Sequence, residues 1–519
     1  MQELPIGIQS FERLRENNYL YVDKTERLLD LLSHGERYFL SRPRRFGKSL
    51  TLSTLDAMFK GKIELFRGLA AEKWVEKQQQ HPSPVLRLDI SIVETGSVER
   101  LELTLKEIIE RTALFSDIEL HAESLTGKFA ELIMRFYKAK GPVVILIDEY
   151  DKPILDNIDD LEKANEMRKL MRSFYTVLKG CDDYLRFVMI TGISKFSKVG
   201  VFSALNNLHD ISLIENYSDI VGYTQNELES YFKERINFTA DKLKTDSSAI
   251  LEKLRDYYDG FSFDGNIKLY NPFSILNCFS AGEFRNYWYE SGSPSFIVEY
   301  MKKYKIEAPE EYRHKIVEHD FTTSQEIERA DPSSFLFQSG YLTIEKKEEQ
   351  FFILDYPNRE VLDSISSMYL KLIYRVESYA FLGNEIWKAL RDGNIAEVIK
   401  LYNTAIAGIP YDDYFKNKNE FWYRSLFIML LRGAGIISYS EPHTSKGRAD
   451  VVIQFETKII VLEFKFAAHT SEVDKKLIDG TQQIQERGYT NNYDAEGRKI
   501  ICAVVVADDE TRQVTAKLI

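Results

Sequence analysis

One apolar run constrains the fold of this chain more than any other feature. Val143–Ile147 contains only valine, isoleucine and leucine, and two carboxylates, Asp148 and Glu149, follow it. Such a run predicts a strand buried on both faces of a parallel sheet, because a strand with one wet face alternates apolar and polar residues. In α/β sheets, ligands bind at the carboxyl ends of the strands. The sequence therefore predicts an α/β fold with a ligand site beside Asp148 and Glu149.

A second segment has the order of a phosphate-binding loop. The apolar run Tyr38–Leu40 leads into Ser41-Arg42-Pro43-Arg44-Arg45-Phe46-Gly47-Lys48-Ser49, and a helix is predicted for Leu50–Lys60. Strand, tight loop, Gly-Lys-Ser and helix together let backbone N–H groups face phosphates. The usual first glycine of such a loop is replaced by Ser41 or Arg42, depending on how the loop is counted.

The two motifs together predict a site for ATP and Mg²⁺. Lys48 would reach the β- and γ-phosphates, while Ser49 and Asp148 would hold Mg²⁺ and Glu149 would polarise the attacking water. The alternative for the acidic pair is a core strand followed by a solvated turn. Two more strands are predicted, Val85–Ile90 and Arg186–Ile190; the second ends at Thr191, which is either a γ-phosphate sensor or part of a turn. The predicted nucleotide-binding residues are Arg44, Arg45, Phe46, Gly47, Lys48, Ser49, Leu50 and Thr191.

Composition limits the class of protein. The chain has 519 residues, 44% of them hydrophobic, and a net charge of −12, which argues against binding nucleic acid over the whole surface. Only three cysteines occur, and no membrane-length apolar run or signal-peptide pattern is present in the sequence. We therefore expect a cytoplasmic protein that does not enter a membrane.

The C-terminal part contains a second group of charged residues at a regular spacing. Val451–Phe455 and Ile459–Lys465 predict a β-hairpin. If the turn is centred between Glu456 and Thr457, Asp450 lies opposite Glu463, with Cβ atoms about 4.5–5.5 Å apart. Lys465 then emerges on the same face as Glu463, because side chains alternate along a strand.

Two carboxylates and one ammonium on the same face suggest a metal site. Asp450 and Glu463 would hold a divalent cation, and Lys465 would position the water that attacks a phosphodiester. The alternative is a surface hairpin with a cross-strand salt bridge among the three groups. A helix, Phe421–Leu431, precedes the hairpin, a second helix, Lys475–Gly488, follows it, and a last strand is predicted for Ile500–Val506.

Both halves resemble known families. The string Arg42-Pro43-Arg44-Arg45-Phe46-Gly47-Lys48-Ser49, with Tyr258-Asp259-Gly260-Phe261 and Tyr270-Asn271-Pro272-Phe273 further on, resembles the prokaryotic AAA-ATPase-like family, in which the first glycine is usually missing. The spacing of Asp450, Glu463 and Lys465 resembles the PD-(D/E)xK nuclease superfamily. This second resemblance implies that Glu420 is a further metal ligand and that Gln483, with Tyr489, belongs to a polar helix motif of the active site. It implies Mg²⁺ or Mn²⁺ as the metal.

The sequence thus predicts three parts: an AAA-type P-loop ATPase domain (residues 1–221), a helical lid or winged-helix connector (222–385), and a PD-(D/E)xK mixed-sheet domain (386–519). The leading hypothesis is an ATPase coupled to a metal-dependent nuclease, with DNA favoured over RNA as substrate. One alternative is a signalling ATPase whose C-terminal domain binds nucleic acid or protein without cleavage, and another is a nucleotide-switched scaffold with neither activity. Because no arginine finger is evident in the same chain, self-association is also expected.

Overall fold

The structure, a computed structural model, describes residues 1–195, 207–290, 295–303, 308–322, 331–409, 418–436, 439–440, 443–444, 447–489 and 497–519. The chain forms two compact units, each assembled from two segments. The first contains Met1–Phe296 and His314–Glu360, and the second contains Ile297–Arg313 and Val361–Ile519.

The first unit is built on a five-stranded parallel sheet. Its strands are β1 (Arg37–Ser41), β2 (Val85–Asp89), β3 (Val143–Asp148), β4 (Leu185–Gly192) and β5 (His209–Asp210), in the order β2-β3-β4-β1-β5. All four neighbouring pairs run parallel.

Strand β3 is buried along its whole length, as its apolar run predicted. Val143, Ile145 and Ile147 belong to a core formed with three helices, Val98–Leu114, Leu125–Lys140 and Leu161–Gly180. The helix Lys48–Phe59 also packs against β3. Helices on both faces explain why the first five positions of this strand are all apolar.

The helices of the chain's described parts have the following bounds. They are α1 (Phe11–Glu16), α2 (Thr25–His34), α3 (Lys48–Phe59), α4 (Glu72–Gln79), α5 (Val98–Leu114), α6 (Leu125–Lys140), α7 (Lys152–Leu155), α8 (Leu161–Gly180), α9 (Gln225–Tyr231), α10 (Lys233–Leu243), α11 (Ser247–Tyr258), α12 (Pro272–Ala281), α13 (Tyr287–Glu290), α14 (Ser295–Lys303), α15 (Pro332–Ser339), α16 (Arg359–Met368), α17 (Tyr379–Asp392), α18 (Ile395–Ala407), α19 (Glu420–Gly433) and α20 (Val473–Arg487).

The middle of the sequence is helical where helices were predicted, but it also contains a sheet. Helices α9 to α12 share a core with the N-terminal residues Leu20 and Val22. Strands β6 (Lys315–Glu318), β7 (Thr343–Lys347) and β8 (Phe351–Asp355) form an antiparallel sheet in the order β6-β8-β7. The sequence analysis missed this sheet because β6 is largely exposed and β7 ends in charged residues, so neither strand has a clear apolar pattern.

The second unit contains the predicted mixed sheet. The strands in the C-terminal part are β9 (Tyr439–Ser440), β10 (His443–Thr444), β11 (Gly447–Arg448), β12 (Val451–Gln454), β13 (Lys458–Ala467), β14 (Lys499–Asp508) and β15 (Gln513–Leu518). The mixed sheet has the order β15-β14-β13-β12-β9; β13 and β14 run parallel, and the other neighbours run antiparallel.

The register of the hairpin β12–β13 is the predicted one. Val451 pairs with Leu462, and the N–H of Phe455 donates to the carbonyl of Lys458, which leaves Glu456 and Thr457 as the turn. This register places Asp450 level with Glu463, because it continues the ladder by one residue.

Two helices cover this sheet. Phe427 of α19 contacts Phe464 of β13, with ring centroids 5.7 Å apart, while Ile484 of α20 shares a core with Val461 and Val504. A Cβ atom at Gly480 would lie 2.5 Å from a methyl group of Val504, so α20 needs glycine there to reach the sheet.

Candidate nucleotide and metal sites

The phosphate-binding loop connects β1 to α3. Gly47 is the N-cap of α3 at φ 100, a backbone conformation that other residues rarely adopt, and Lys48 is the first helical residue. Arg45 also has a positive φ, 68, and its guanidinium lies 4.9 Å from the ring centroid of Phe273. The loop therefore turns sharply enough to direct the first N–H groups of α3 toward a ligand.

Arg42 stands five residues before Gly47, at the position of the first glycine in the usual phosphate-binding loop pattern. Its buried guanidinium donates hydrogen bonds to the carbonyl oxygens of Ser212 (2.6 Å) and Tyr217 (3.1 Å) and lies 4.0 Å from the ring centroid of Phe263. The side chain therefore anchors the start of the loop inside the unit. Arginine in place of glycine therefore ties the start of the loop to the rest of the unit, and the turn at Gly47 still forms.

Lys48 is buried in the loop. Its Nζ donates to the carbonyl oxygens of Arg42 (2.8 Å) and Pro43 (2.9 Å). Burial lowers the pKa of Lys48, and the nearby charges of Asp148 and Glu149 oppose that shift. The lysine is thus held beside the two carboxylates that the sequence associated with it.

Asp148 and Thr191 contact each other at the ends of neighbouring strands. The hydroxyl of Thr191 donates a 2.7 Å hydrogen bond to Oδ1 of Asp148, and both side chains are buried. Glu149, the next residue, adopts a left-handed conformation at φ 52. Burial raises the pKa of Glu149, although Lys48 opposes the increase.

A cavity of about 440 Å³ lies beside Lys48 and Glu149. Arg44, Arg45, Ser49 and Leu50 also line it, whereas Asp148 and two of the predicted binding residues, Phe46 and Thr191, do not. The buried side chain of Phe46 packs on Phe261 with ring centroids 4.8 Å apart. Only the backbone of Phe46 is therefore available to a ligand in the loop.

Other residues that line the cavity come from segments far away in the sequence. They include Ile8 and Gln9 near the N-terminus, and Tyr223, Phe273 and Leu276 from the middle region. Sequence reasoning did not assign these residues to the site. The string Tyr270-Asn271-Pro272-Phe273-Ser274 was the available signal, since Asn271 caps α12 and so fixes the position of Phe273.

The second candidate site lies at the start of the hairpin. Asp450 accepts a 2.7 Å hydrogen bond from the N–H of Phe464 on Oδ2 and a 2.6 Å bond from Nη1 of Arg424 on Oδ1. Lys465 Nζ lies 2.7 Å from Oε1 of Glu463 and 3.8 Å from Oε1 of Glu420. The structure thus brings the four predicted charged residues together and adds Arg424, which sequence reasoning missed.

Glu463 is the most deeply buried member of this group, at 1% exposure. Its Oε2 atom is buried without a hydrogen-bond partner among the described residues. Burial, with a contribution from Asp450, raises the pKa of Glu463 to about 7. A buried carboxylate oxygen without a donor is costly unless a cation binds it, so these residues fit a divalent metal ion.

Gln483 and Tyr489 lie at the C-terminal end of α20. Gln483 Nε2 donates a 2.9 Å hydrogen bond to the Tyr489 hydroxyl. Burial raises the pKa of Tyr489, and the charges of Glu463 and Asp450 act in the same direction. This pair therefore lies within electrostatic range of the carboxylates.

A further group of metal-ligating side chains is found in the first unit. His314, Glu345 and Asp355 bring three potential donor atoms within 4.8 Å of one another. His314 Nδ1 lies 2.8 Å from Glu345 Oε2, and both side chains are substantially exposed. An exposed ion pair accounts for this contact.

The fold and the two groups of residues define a class: a P-loop ATPase-like domain and a nuclease-superfamily domain in a single chain. The family described as "Predicted AAA-ATPase" (AAA-ATPase-like) matches residues 5–202, and the PD-(D/E)XK nuclease superfamily matches residues 418–517. The "uncharacterized protein in vnfD 5'region" of Azotobacter chroococcum mcd 1 is 34% identical, over 99% of this chain and 98% of that protein. The chain therefore belongs to the AAA-ATPase-like family. Its similarity to the Azotobacter protein extends over nearly the whole length of both sequences.

Among solved structures, the Aeropyrum pernix ORC1 protein in complex with DNA matches 68% of this chain and 94% of its own, at 9% identity and a TM-score of 0.26. A likeness this low carries no argument about function. Within the described residues, no helix is both long and apolar enough to cross a membrane.

Proposed function

We propose that this protein binds and hydrolyses ATP and is also a divalent-metal-dependent nuclease that acts on DNA. RNA is the second choice of substrate. In the first unit, Lys48 and the N-terminus of α3 would bind the phosphates. Ser49 and Asp148 would hold Mg²⁺, and Glu149 would activate the attacking water. Thr191 would hold Asp148 in position. The apolar side chains of Phe273 and Leu276, which line the cavity, suit the nucleotide base. Small-molecule sites combine such apolar side chains with a few directed polar groups.

The observation that carries the nuclease proposal is the buried Oε2 of Glu463, which receives no hydrogen bond from the residues that the structure describes and lies in the same group as Asp450. Asp450, Glu463 and Glu420 would hold the metal ion, Mg²⁺ or Mn²⁺. When bound, such an ion polarises a phosphoryl oxygen and lowers the pKa of a water molecule. Lys465, paired with Glu463, would orient the attacking water, and Gln483 would contact the substrate backbone.

The test is incubation of the purified protein with plasmid, single-stranded DNA and RNA, with Mg²⁺ or Mn²⁺ and with or without ATP. Metal-dependent cleavage that is lost in Glu463→Gln supports the proposal. Cleavage that survives this substitution would show that a contaminant or another site is responsible.

A second candidate function is a signalling ATPase whose C-terminal domain binds nucleic acid or protein without cleaving it. This candidate is favoured by one observation: both oxygens of Asp450 already have partners, Arg424 and the N–H of Phe464. Metal-independent binding of DNA without cleavage would support it.

Three further parts of the proposal rest on the sequence. The domain boundaries after residues 221 and 385 remain predictions. So do the cytoplasmic location and self-association that supplies an arginine to the ATP site. A specific ATPase activity that rises with protein concentration would support self-association.

A further inference from the structure

Arg424 introduces a cation that the proposed nuclease chemistry does not use. It lies on α19 one helical turn after Glu420, so the two side chains share a face of the helix. Its Nη1 atom is 2.6 Å from Asp450 Oδ1, and the two side chains are only 12% and 11% exposed. The Coulomb attraction within a pair so well shielded from water exceeds that of a surface pair, because the surrounding dielectric is lower, although desolvation of the two charges offsets part of this gain.

The two oxygens of Asp450 differ in how easily they can be released. Oδ2 accepts from the N–H of Phe464, a backbone group held by the pairing of β13 with β14. Oδ1 accepts from a side chain that rotates about several bonds. A cation that binds Asp450 would therefore compete for Oδ1 and would leave the backbone hydrogen bond intact.

The charges of the site also favour competition between Arg424 and a divalent cation. Asp450, Glu463 and Glu420 are within electrostatic range of one another, and Lys465 and Arg424 are the basic partners in hydrogen-bond contact with Glu463 and Asp450. With all five groups ionised, the group carries a single net negative charge. Removal of the Arg424 charge would leave two, which one divalent cation neutralises.

We propose that Arg424 competes with a divalent cation for Oδ1 of Asp450 and thereby sets the metal concentration at which the site fills. This inference rests on the proposed function of the site. It assigns Arg424 a regulatory effect on metal affinity, in contrast to a supporting role in which the arginine would only orient Asp450. The two roles predict opposite changes when the arginine is removed.

The experiment is a Mn²⁺ titration of the full-length, nucleotide-free protein by calorimetry. The signal from the C-terminal site is the component lost in Asp450→Asn. Arg424→Gln is expected to bind Mn²⁺ roughly tenfold more tightly than the wild type, since a cation next to the ion has been removed. Lys475→Gln, which removes one charge from an exposed position on α20, is the matched control and should change the affinity less than about twofold.

The possible outcomes separate the two proposals. Unchanged or weaker Mn²⁺ binding in Arg424→Gln, or equal tightening in Lys475→Gln, overturns the competition. No Asp450-dependent binding in the wild type overturns both the competition and the proposed nuclease. If Arg424→Gln does not fold, as judged by circular dichroism, Arg424→Met decides: it also removes the charge, so it should tighten Mn²⁺ binding, and unchanged or weaker binding overturns the proposal.

Discussion

Thr191 holds Asp148 through a 2.7 Å hydrogen bond between its hydroxyl and Oδ1 of the carboxylate. The two residues end neighbouring parallel strands, β4 and β3, and both are buried. The contact links the strand that follows α8 to the carboxylate predicted to hold Mg²⁺. The role of Thr191 as a γ-phosphate sensor stays a prediction, because its buried side chain contacts Asp148 and does not line the cavity.

Thr191→Val should slow ATP hydrolysis by about tenfold or more while leaving ATP affinity within a few-fold, since it removes only the hydroxyl that orients Asp148. Steady-state hydrolysis and nucleotide titration on the same preparation measure the two effects. Thr176→Val is the control, because the Thr176 hydroxyl bonds to its own helix on an exposed face. Equal effects of the two variants would contradict the prediction.

Lys48→Ala should greatly weaken ATP binding, because Lys48 is the lysine of the phosphate-binding loop and is buried beside Asp148 and Glu149. Calorimetric titration with a non-hydrolysable ATP analogue measures the loss. Lys60→Ala, at the other end of α3, removes a lysine paired with Asp56 and should bind normally. An unchanged affinity in Lys48→Ala would refute the assignment of the loop.

Glu149→Gln should retain ATP but hydrolyse it roughly 10²–10⁴-fold more slowly, the usual contribution of a positioned general base. The amide keeps the size of the side chain and removes its ability to take a proton. Single-turnover kinetics with saturating protein separate binding from chemistry. Glu162→Gln, in the exposed first turn of α8, is the control. A parallel loss of binding and turnover in Glu149→Gln would indicate a structural role for the acidic pair.

Glu463→Gln should abolish metal-dependent cleavage and leave ATP hydrolysis largely unchanged, because the two sites lie in separate compact units. The protein should remain folded, since burial already raises the pKa of this carboxyl to about 7 and an uncharged amide of the same size costs little there. Plasmid cleavage, ATPase activity and thermal unfolding test the three statements. A matched loss of both activities would mean that the substitution damages the whole chain.

Gly480→Ala should destabilise the second unit by about 1–3 kcal/mol, the usual cost of overpacking, because the new Cβ would lie 2.5 Å from Val504. Urea unfolding followed by circular dichroism measures the stability. Gly180→Ala is the control, since a Cβ there meets nothing within 4 Å; a cost as large as that at Gly480 would contradict the packing argument.

Elements with a local sequence pattern could be predicted without knowledge of the fold. An apolar run with no polar position specified β3, and Gly47 with its neighbours specified the turn into α3. The hairpin register followed from the alternation of side chains, since a slip of one residue would expose the buried face. Asp450 and Glu463 could therefore be placed side by side before any tertiary contact was known.

The distant residues that complete each site depend on how the folded elements pack. Arg42 anchors the loop through the carbonyls of Ser212 and Tyr217. Ile8 and Phe273 contribute apolar side chains to the lining of the cavity. Arg424 reaches Asp450 because α19 packs on β13, which no spacing within the sequence specifies. Periodicity reports which face of an element is buried, but the partner on that face depends on how elements pack, and packing is set by long-range contacts.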